Sequence, residues 1–218
     1  QEEVLMKPQL ILLGAPGSGK GTQANKLISE FGYNHISTGD LLRDEVKKTS
    51  ELGKEVETII NSGNLVSDEI VLKLLKANCN INNNIYIFDG FPRNLVQAKS
   101  LTEEILHGSN YIVIYFEMST ELLVERISNR RIAINSGKIY NLLSKPPKIH
   151  GKCDVSGEDL IHRKDDNEET VRNRIKIFKN TIDPMISYYR ENNSLEVLDA
   201  SNGPDEIFKD LIKLIGNS

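Results

Sequence analysis

Apolar residues follow two rhythms along this chain. Short continuous runs stand at Leu10-Ile11-Leu12-Leu13, Ile85-Tyr86-Ile87-Phe88 and Tyr111-Ile112-Val113-Ile114-Tyr115-Phe116, with a shorter run over residues 195–198. A run of this kind suits a strand buried on both faces, as in a parallel sheet. His35-Ile36-Ser37 adds a fifth candidate strand. Between the runs, apolar positions recur at helical spacing over residues 19–30, 39–48, 68–77, 95–107, 120–128, 168–190 and 205–215. Strands alternating with helices predict βαβ units, and so an α/β fold with a doubly wound, five-stranded parallel sheet.

Two stretches break the alternation. Residues 38–67 read as helices with no strand between them. In residues 131–166, Gly137, Pro146, Pro147, Gly151 and Gly157 punctuate short β-prone pieces. A long segment with little helical period inside a compact enzyme reads as a lid. The expected organisation is a core of residues 9–37, 68–130 and 167–216, a helical insert over 38–67 and a β-rich lid over 131–166. The Asn-rich residues 78–84 read as a solvated loop, and no internal repeat is present.

Composition narrows the partners. With 39% hydrophobic and 27% charged residues over 218 positions, the chain has material for an ordinary core. A net charge of −4 gives no global basic field to recruit nucleic acid or an anionic membrane, so any anion site must be local. No apolar run approaches the ~20 residues of a membrane span, and residues 1–8 lack a signal-peptide layout. The chain opens on Gln1, so a removed targeting or lipidation segment leaves no trace. Cys79 and Cys153 lie far apart without CxxC pairing, which argues against a disulfide framework and for a reducing compartment.

The first strand runs into Gly14-Ala15-Pro16-Gly17-Ser18-Gly19-Lys20-Gly21-Thr22. A glycine-rich turn between a buried strand and a helix aims backbone N–H groups at a phosphate, and a lysine at this spacing reaches its outer oxygens. Gly21 separates Lys20 from Thr22, whereas many phosphate-loop proteins place a metal-binding hydroxyl directly after the lysine. Further on, Ser37-Thr38-Gly39-Asp40-Leu41-Leu42-Arg43 has the form of a helix cap followed by a cation one turn in. Asp89-Gly90-Phe91-Pro92-Arg93 follows the third strand, at the end where α/β sheets bind ligands. Taken alone, either segment could be a cap or a tight turn and nothing more.

Together, GAPGSGKGTQ, STGDLLR and DGFPRN, in this order, resemble the adenylate kinase family of long-lid, phosphate-loop nucleoside monophosphate kinases along the whole chain. The resemblance implies the P-loop kinase fold and reversible transfer from ATP to AMP, giving two ADP. Lys20, Arg93, Arg130, Arg163 and Arg174 are then the catalytic set. The donor would meet Gly17, Ser18, Gly19, Lys20, Gly21, Thr22, Arg126, Arg130, Ile139, Tyr140 and Gly203. AMP would meet Thr38, Arg43, Asn64, Leu65, Val66, Gly90, Phe91, Pro92, Arg93, Gln97, Arg163 and Arg174, which makes residues 38–67 the AMP-binding insert. Asp165 and Asp166 resemble the pair that ties the closed lid to its arginines. Mg²⁺ would arrive with the nucleotide and be held through water by Asp89 and Asp40.

Arginine usage agrees with this picture. Of nine arginines, Arg126, Arg130, Arg131, Arg163, Arg172 and Arg174 flank the lid, and guanidinium clusters are what phosphate recognition uses. Some long lids of the family carry zinc on four cysteines. Those positions here are Ala133, Ser136, Cys153 and Ser156, so one thiol remains and no zinc site is expected; a polar, hydrogen-bonded lid core takes its place. Tyr140-Asn141 resembles a GTP-using branch, whereas His162-Arg163-Lys164-Asp165-Asp166 resembles the ATP-using enzymes. ATP is the expected donor and GTP the alternative. Bisubstrate dinucleotides should bind, the chain should be a monomer, and the cytoplasm is the default location, with mitochondria as the alternative. A phosphate-loop switch is disfavoured by Gly21, and a non-catalytic relative by the presence of Lys20 and every arginine.

Overall fold

A computed structural model of the chain describes residues 7–61, 66–163 and 166–216. Its centre is a parallel sheet of five strands, β1 (Gln9–Gly14), β2 (Asn34–Ser37), β3 (Tyr86–Asp89), β4 (Tyr111–Glu117) and β7 (Leu195–Asp199), in the order β2-β3-β1-β4-β7. The register sets Leu10 beside Ile87 and Ile112, and Ile11 beside Phe88 and Val113. After β1 the chain leaves for the β2 edge and returns to β3; it then crosses to β4 and β7 on the other side. That reversal beside β1 opens a crevice at the C-terminal ends of the strands.

The unbroken apolar runs have a simple cause, because both sheet faces are covered. Leu10, Leu12, Ile87, Ile112 and Ile114 face one core, which is closed by α1 (Lys20–Phe31), α6 (Thr120–Ser128) and α8 (Pro204–Gly216). Ile11, Leu13, Ile36, Phe88 and Val113 face the other core, under α4 (Asp68–Asn78), α5 (Leu95–Ser100) and α7 (Glu168–Glu191). The expected helix over 95–107 changes character part-way. Residues Leu101–Ile105 form a π turn in which Leu106 N–H donates to the Leu101 carbonyl at 2.9 Å. The wider turn brings Leu101, Ile105 and Leu106 together into the core.

Residues 38–61 hold α2 (Thr38–Lys47) and α3 (Glu51–Asn61), with no strand between them. The two helices approach closely at Gly53, where an added Cβ would sit 2.4 Å from the Glu45 carbonyl oxygen. The lid segment is less regular than its β-prone sequence suggests. Its two strands, β5 (Arg130–Ile132) and β6 (Ile139–Asn141), pair antiparallel over three residues each, and the remainder is turns joined by isolated bridges. Ala133, Tyr140 and Cys153 make its small core. Among the described residues, no helix is long and apolar enough to cross a membrane.

Candidate active site

β1 stops at Gly14, and α1 starts at Lys20 with Gly19 as its cap. Gly17 and Gly19 both take left-handed φ angles, 85° and 83°. At Gly17 a side chain would also meet Ile127 at 2.9 Å, so only glycine fits there. No side chain caps α1, and no acidic residue occupies its first turn. Gly21 and Thr22 lie in that turn, whose unclaimed N–H groups leave the positive end of the helix for an anion. Ser18 is 1% exposed, and its hydroxyl is enclosed without a partner.

The Lys20 ammonium reaches 2.6 Å from one oxygen of Asp89 at the end of β3. The other oxygen is 3.2 Å from His35 Nε2 on β2. The hydrogen bond from His35, reinforced by the Lys20 charge, holds the Asp89 carboxyl well below the usual carboxylate range. The same bond raises the His35 pKa. Nothing in the sequence pattern singled out His35; the parallel pairing of β2 with β3 is what sets it beside Asp89.

Asp40 is placed differently from its expected part. One of its oxygens accepts from Arg43 at 2.5 Å, and that bond depresses its pKa. Its charge also helps to raise the pKa of His35. Ser37 occupies the cap position of α2 but makes no side-chain capping bond. The Thr38 hydroxyl is 3.9 Å from where a Gly90 side chain would begin. Phe91 is anchored in the second core. Arg93 is steered by its Nε, which donates to the Gly90 carbonyl at 2.8 Å. Gln97 is engaged on both sides, accepting from Arg93 N–H at 2.7 Å and donating to Asp68 at 2.5 Å. Val66 packs against the second core. Asn64, Leu65 and Asp165 lie outside the described residues.

A cavity of about 560 Å³ opens where β1 and β3 end. Lys20, Arg93 and Arg174 all line it, beside Gly14, Gly90 and Pro92, and α7 closes it with Phe178 and Ile182. Three cations from three distant segments thus face one space. Arg126, Arg130 and Arg163 are not in its wall. Arg130 makes a two-pronged bond to Asp166, at 3.0 and 2.6 Å, and the Asp166 side chain is 0% exposed. Arg163 is exposed, and its carbonyl accepts from Asp166 N–H at 3.1 Å. Arg126 is half-buried, with burial lowering its pKa.

Inside the lid, Tyr140 turns its ring inward. Its hydroxyl lies 3.4 Å from Cys153 Sγ and accepts from Asp154 N–H at 2.8 Å. Ile139 beside it is exposed. Ser136 Oγ is also 3.4 Å from Cys153, and Glu158 accepts from the N–H groups of Asn135 and Ser136 at 2.8 and 2.9 Å. Hydroxyls and one thiol thus meet where a zinc lid would gather thiolates, a donor set that does not suit that ion. Asn141 donates to the Arg126 carbonyl at 3.1 Å and accepts from the N–H groups of Leu143 and Ser144. Gly203 lies in the loop between β7 and α8, where a side chain would meet nothing within 4 Å.

The carboxylates suit a hydrated Mg²⁺ better than a dedicated cage. Asp89 is a strongly acidic oxygen donor beside Lys20, and the Asp40 charge is felt at His35, its other partner. Among the described residues no group of three ligating side chains surrounds a metal position. Mg²⁺ usually keeps several waters and is bound through one or two carboxylates together with substrate phosphates.

Residues 12–194 match the family model described as adenylate kinase. The chain is 46% identical over 213 residues to an adenylate kinase of Thermosipho melanesiensis, covering 94% of this chain and 98% of that one. An adenylate kinase of Petrotoga mobilis is 45% identical over 210 residues, covering 95% and 97%. One from Clostridium perfringens is 35% identical over 216 residues, covering 97% and 99%.

Proposed function

The chain belongs to the adenylate kinase family and is a nucleoside monophosphate kinase, and we propose that its cleft interconverts ATP plus AMP with two ADP by holding the nucleotides head to head. The observation that carries this reading is the convergence of Lys20, Arg93 and Arg174 on one cavity at the sheet's C-terminal edge. Phosphoryl transfer needs alignment and charge neutralisation more than covalent chemistry. The phosphate loop and Lys20 take the donor's outer phosphates. Arg93 and Arg174, together with Arg130 and Arg163 from the lid's borders, neutralise the oxygens of the group in flight.

The acceptor phosphate has a second pKa of about 6, so it is mostly dianionic at neutral pH and attacks without a general base. AMP lies against Thr38, Arg43, Gly90 and Gln97. For that, Arg43 exchanges Asp40 for the phosphate, and Gln97 releases Asp68 to meet the base. Residues 38–67 form the acceptor insert and 131–166 the lid, whose closure excludes water as a competing acceptor. Asp89 and Asp40 would hold, through water, the Mg²⁺ that accompanies the nucleotide, which would supply further charge neutralisation. Asn141, the residue that resembled a GTP-using branch, is occupied in the turn at Arg126. No observation favours GTP over ATP.

Both cysteines are free thiols, which supports a reducing compartment such as the cytoplasm. The test is ATP formation from ADP alone, followed by ATP and GTP compared as donors to AMP. Purified protein that hydrolyses ATP but forms none from ADP would remove this function.

A further inference from the structure

Gln23 stands on α1, three residues beyond Lys20, and is 1% exposed. Its side-chain nitrogen donates to the Pro204 carbonyl at 2.9 Å, a link across 181 positions of sequence. A carbonyl can only accept, so the amide must present its nitrogen there, leaving Oε1 on the other side. That oxygen is enclosed and has no partner. An apolar side chain would fill the site without an orphaned acceptor, so the bond to Pro204 is what the amide adds.

Pro204 opens α8 and directly follows Gly203. The loop over 200–203 is pinned at its other end, where Ala200 N–H donates to the Glu117 carbonyl at 2.9 Å and Asp199 accepts from Ser201 N–H at 2.9 Å. Lys26, one turn after Gln23, adds an exposed bridge to Asp205 at 2.8 Å. The helix that begins at the phosphate loop and the loop that carries Gly203 are therefore joined by one buried bond and one exposed bond.

We propose that Gln23 is a positioning residue for donor recognition, locking the 200–203 loop to the phosphate-binding helix so that the donor's base and its phosphates meet one rigid unit. This rests on the family resemblance that sets Gly203 among the donor's contacts, taken here to be contacts with its base. It predicts a defect confined to the donor site, and there to ligands that carry a base. In Gln23→Met, KM for ATP should rise about fivefold to tenfold, the effect of losing one oriented hydrogen bond. KM for AMP, kcat and competitive inhibition by inorganic tripolyphosphate should stay within about twofold of wild type, because none of them uses the base-side loop.

An unchanged KM for ATP, or a parallel weakening of tripolyphosphate, overturns the proposal. Should Gln23→Met not fold, Gln23→Asn keeps the amide but withdraws it by one methylene, and is judged by the same readouts. Gly203→Val, where the fold leaves open space, tests the premise separately. If ATP binds Gly203→Val as it binds wild type, the donor-loop reading fails and Gln23 falls with it. If Gly203→Val weakens ATP while Gln23→Met does not, only the role of Gln23 is lost.

Discussion

Lys20, Arg93 and Arg174 stand on elements rooted in the sheet and its two cores, whereas Arg130 and Arg163 border a segment whose own core is Ala133, Tyr140 and Cys153. The sheet side is held by strand pairing and apolar burial on both faces. The lid is held by the backbone bonds of its short strands and turns and by side chains that satisfy further backbone groups, with Glu158 on Asn135 and Ser136, Tyr140 on Asp154, and Asn141 on Leu143 and Ser144. Such a unit keeps its internal shape with little apolar anchorage to the rest of the molecule, which is what a moving cover requires. On the proposed reading the difference divides chemistry from motion: charge is preorganised on the sheet, and water exclusion is delegated to the lid.

The largest expected effect tests the sheet side. Lys20→Ala should lower kcat/KM by about 10³-fold, the upper range for one oriented charge-stabilising donor. Activity within tenfold of wild type in the coupled assay would contradict that division. Arg93→Ala and Arg130→Ala should each lose about 10²-fold in turnover yet part in stability. Arg93 is exposed and bonds a carbonyl, so its loss strands no buried charge. Removing Arg130 leaves Asp166 enclosed and unpaired, which should cost about 3 kcal/mol in chemical denaturation. Equal stability losses for the two variants would erase the contrast.

A smaller effect is local to the lid. Tyr140→Phe removes the hydroxyl between Cys153 and Asp154 and should cost about 1 kcal/mol. Hydrogen exchange should quicken at the Asp154 amide and its neighbours while the amides of β1 and β4 keep their protection. Faster exchange throughout the sheet would show the two regions to be one cooperative unit.

The smallest effect is the pH response of the sheet edge. The folded pKa of His35 is raised, so its contribution is full below ~6.5 and is lost as pH rises through the folded value. For Asp89 the shift is downward, so its contribution is full above ~3.9 and is lost only as pH falls through a much lower value. Raising pH from about 6 to 9 should therefore lower the stability of wild type relative to His35→Gln by a fraction of a kcal/mol, because His35 is partly solvent-screened. His35→Gln, an uncharged donor, should flatten that slope in thermal melts. A wild-type stability that climbs relative to that of His35→Gln over the range contradicts the pairing.

What the sequence made legible follows the same division. Three of the five strands, β1, β3 and β4, announce themselves as apolar runs because burial on both faces leaves no polar alternation, and the phosphate loop is written in consecutive residues. The bonds of His35 to Asp89 and of Gln23 to Pro204 could not be read, since each joins positions far apart that only the strand order and helix packing bring together. The π turn after Ser100 was hidden because its apolar spacing is also that of a plain helix. Asp40 and Arg43 were read as separate ligand contacts, whereas at three residues' separation on one helix they pair with each other.

The central claim is that two anionic nucleotides share this cleft with their phosphates facing. Isothermal titration with two adenosines joined by five phosphates addresses it directly. One dinucleotide should bind per chain, at least about 100-fold more tightly than ATP or AMP alone, because the second half binds intramolecularly. Each mononucleotide should be displaced. Affinity no better than that of ATP, or AMP still bound at saturating dinucleotide, would contradict it.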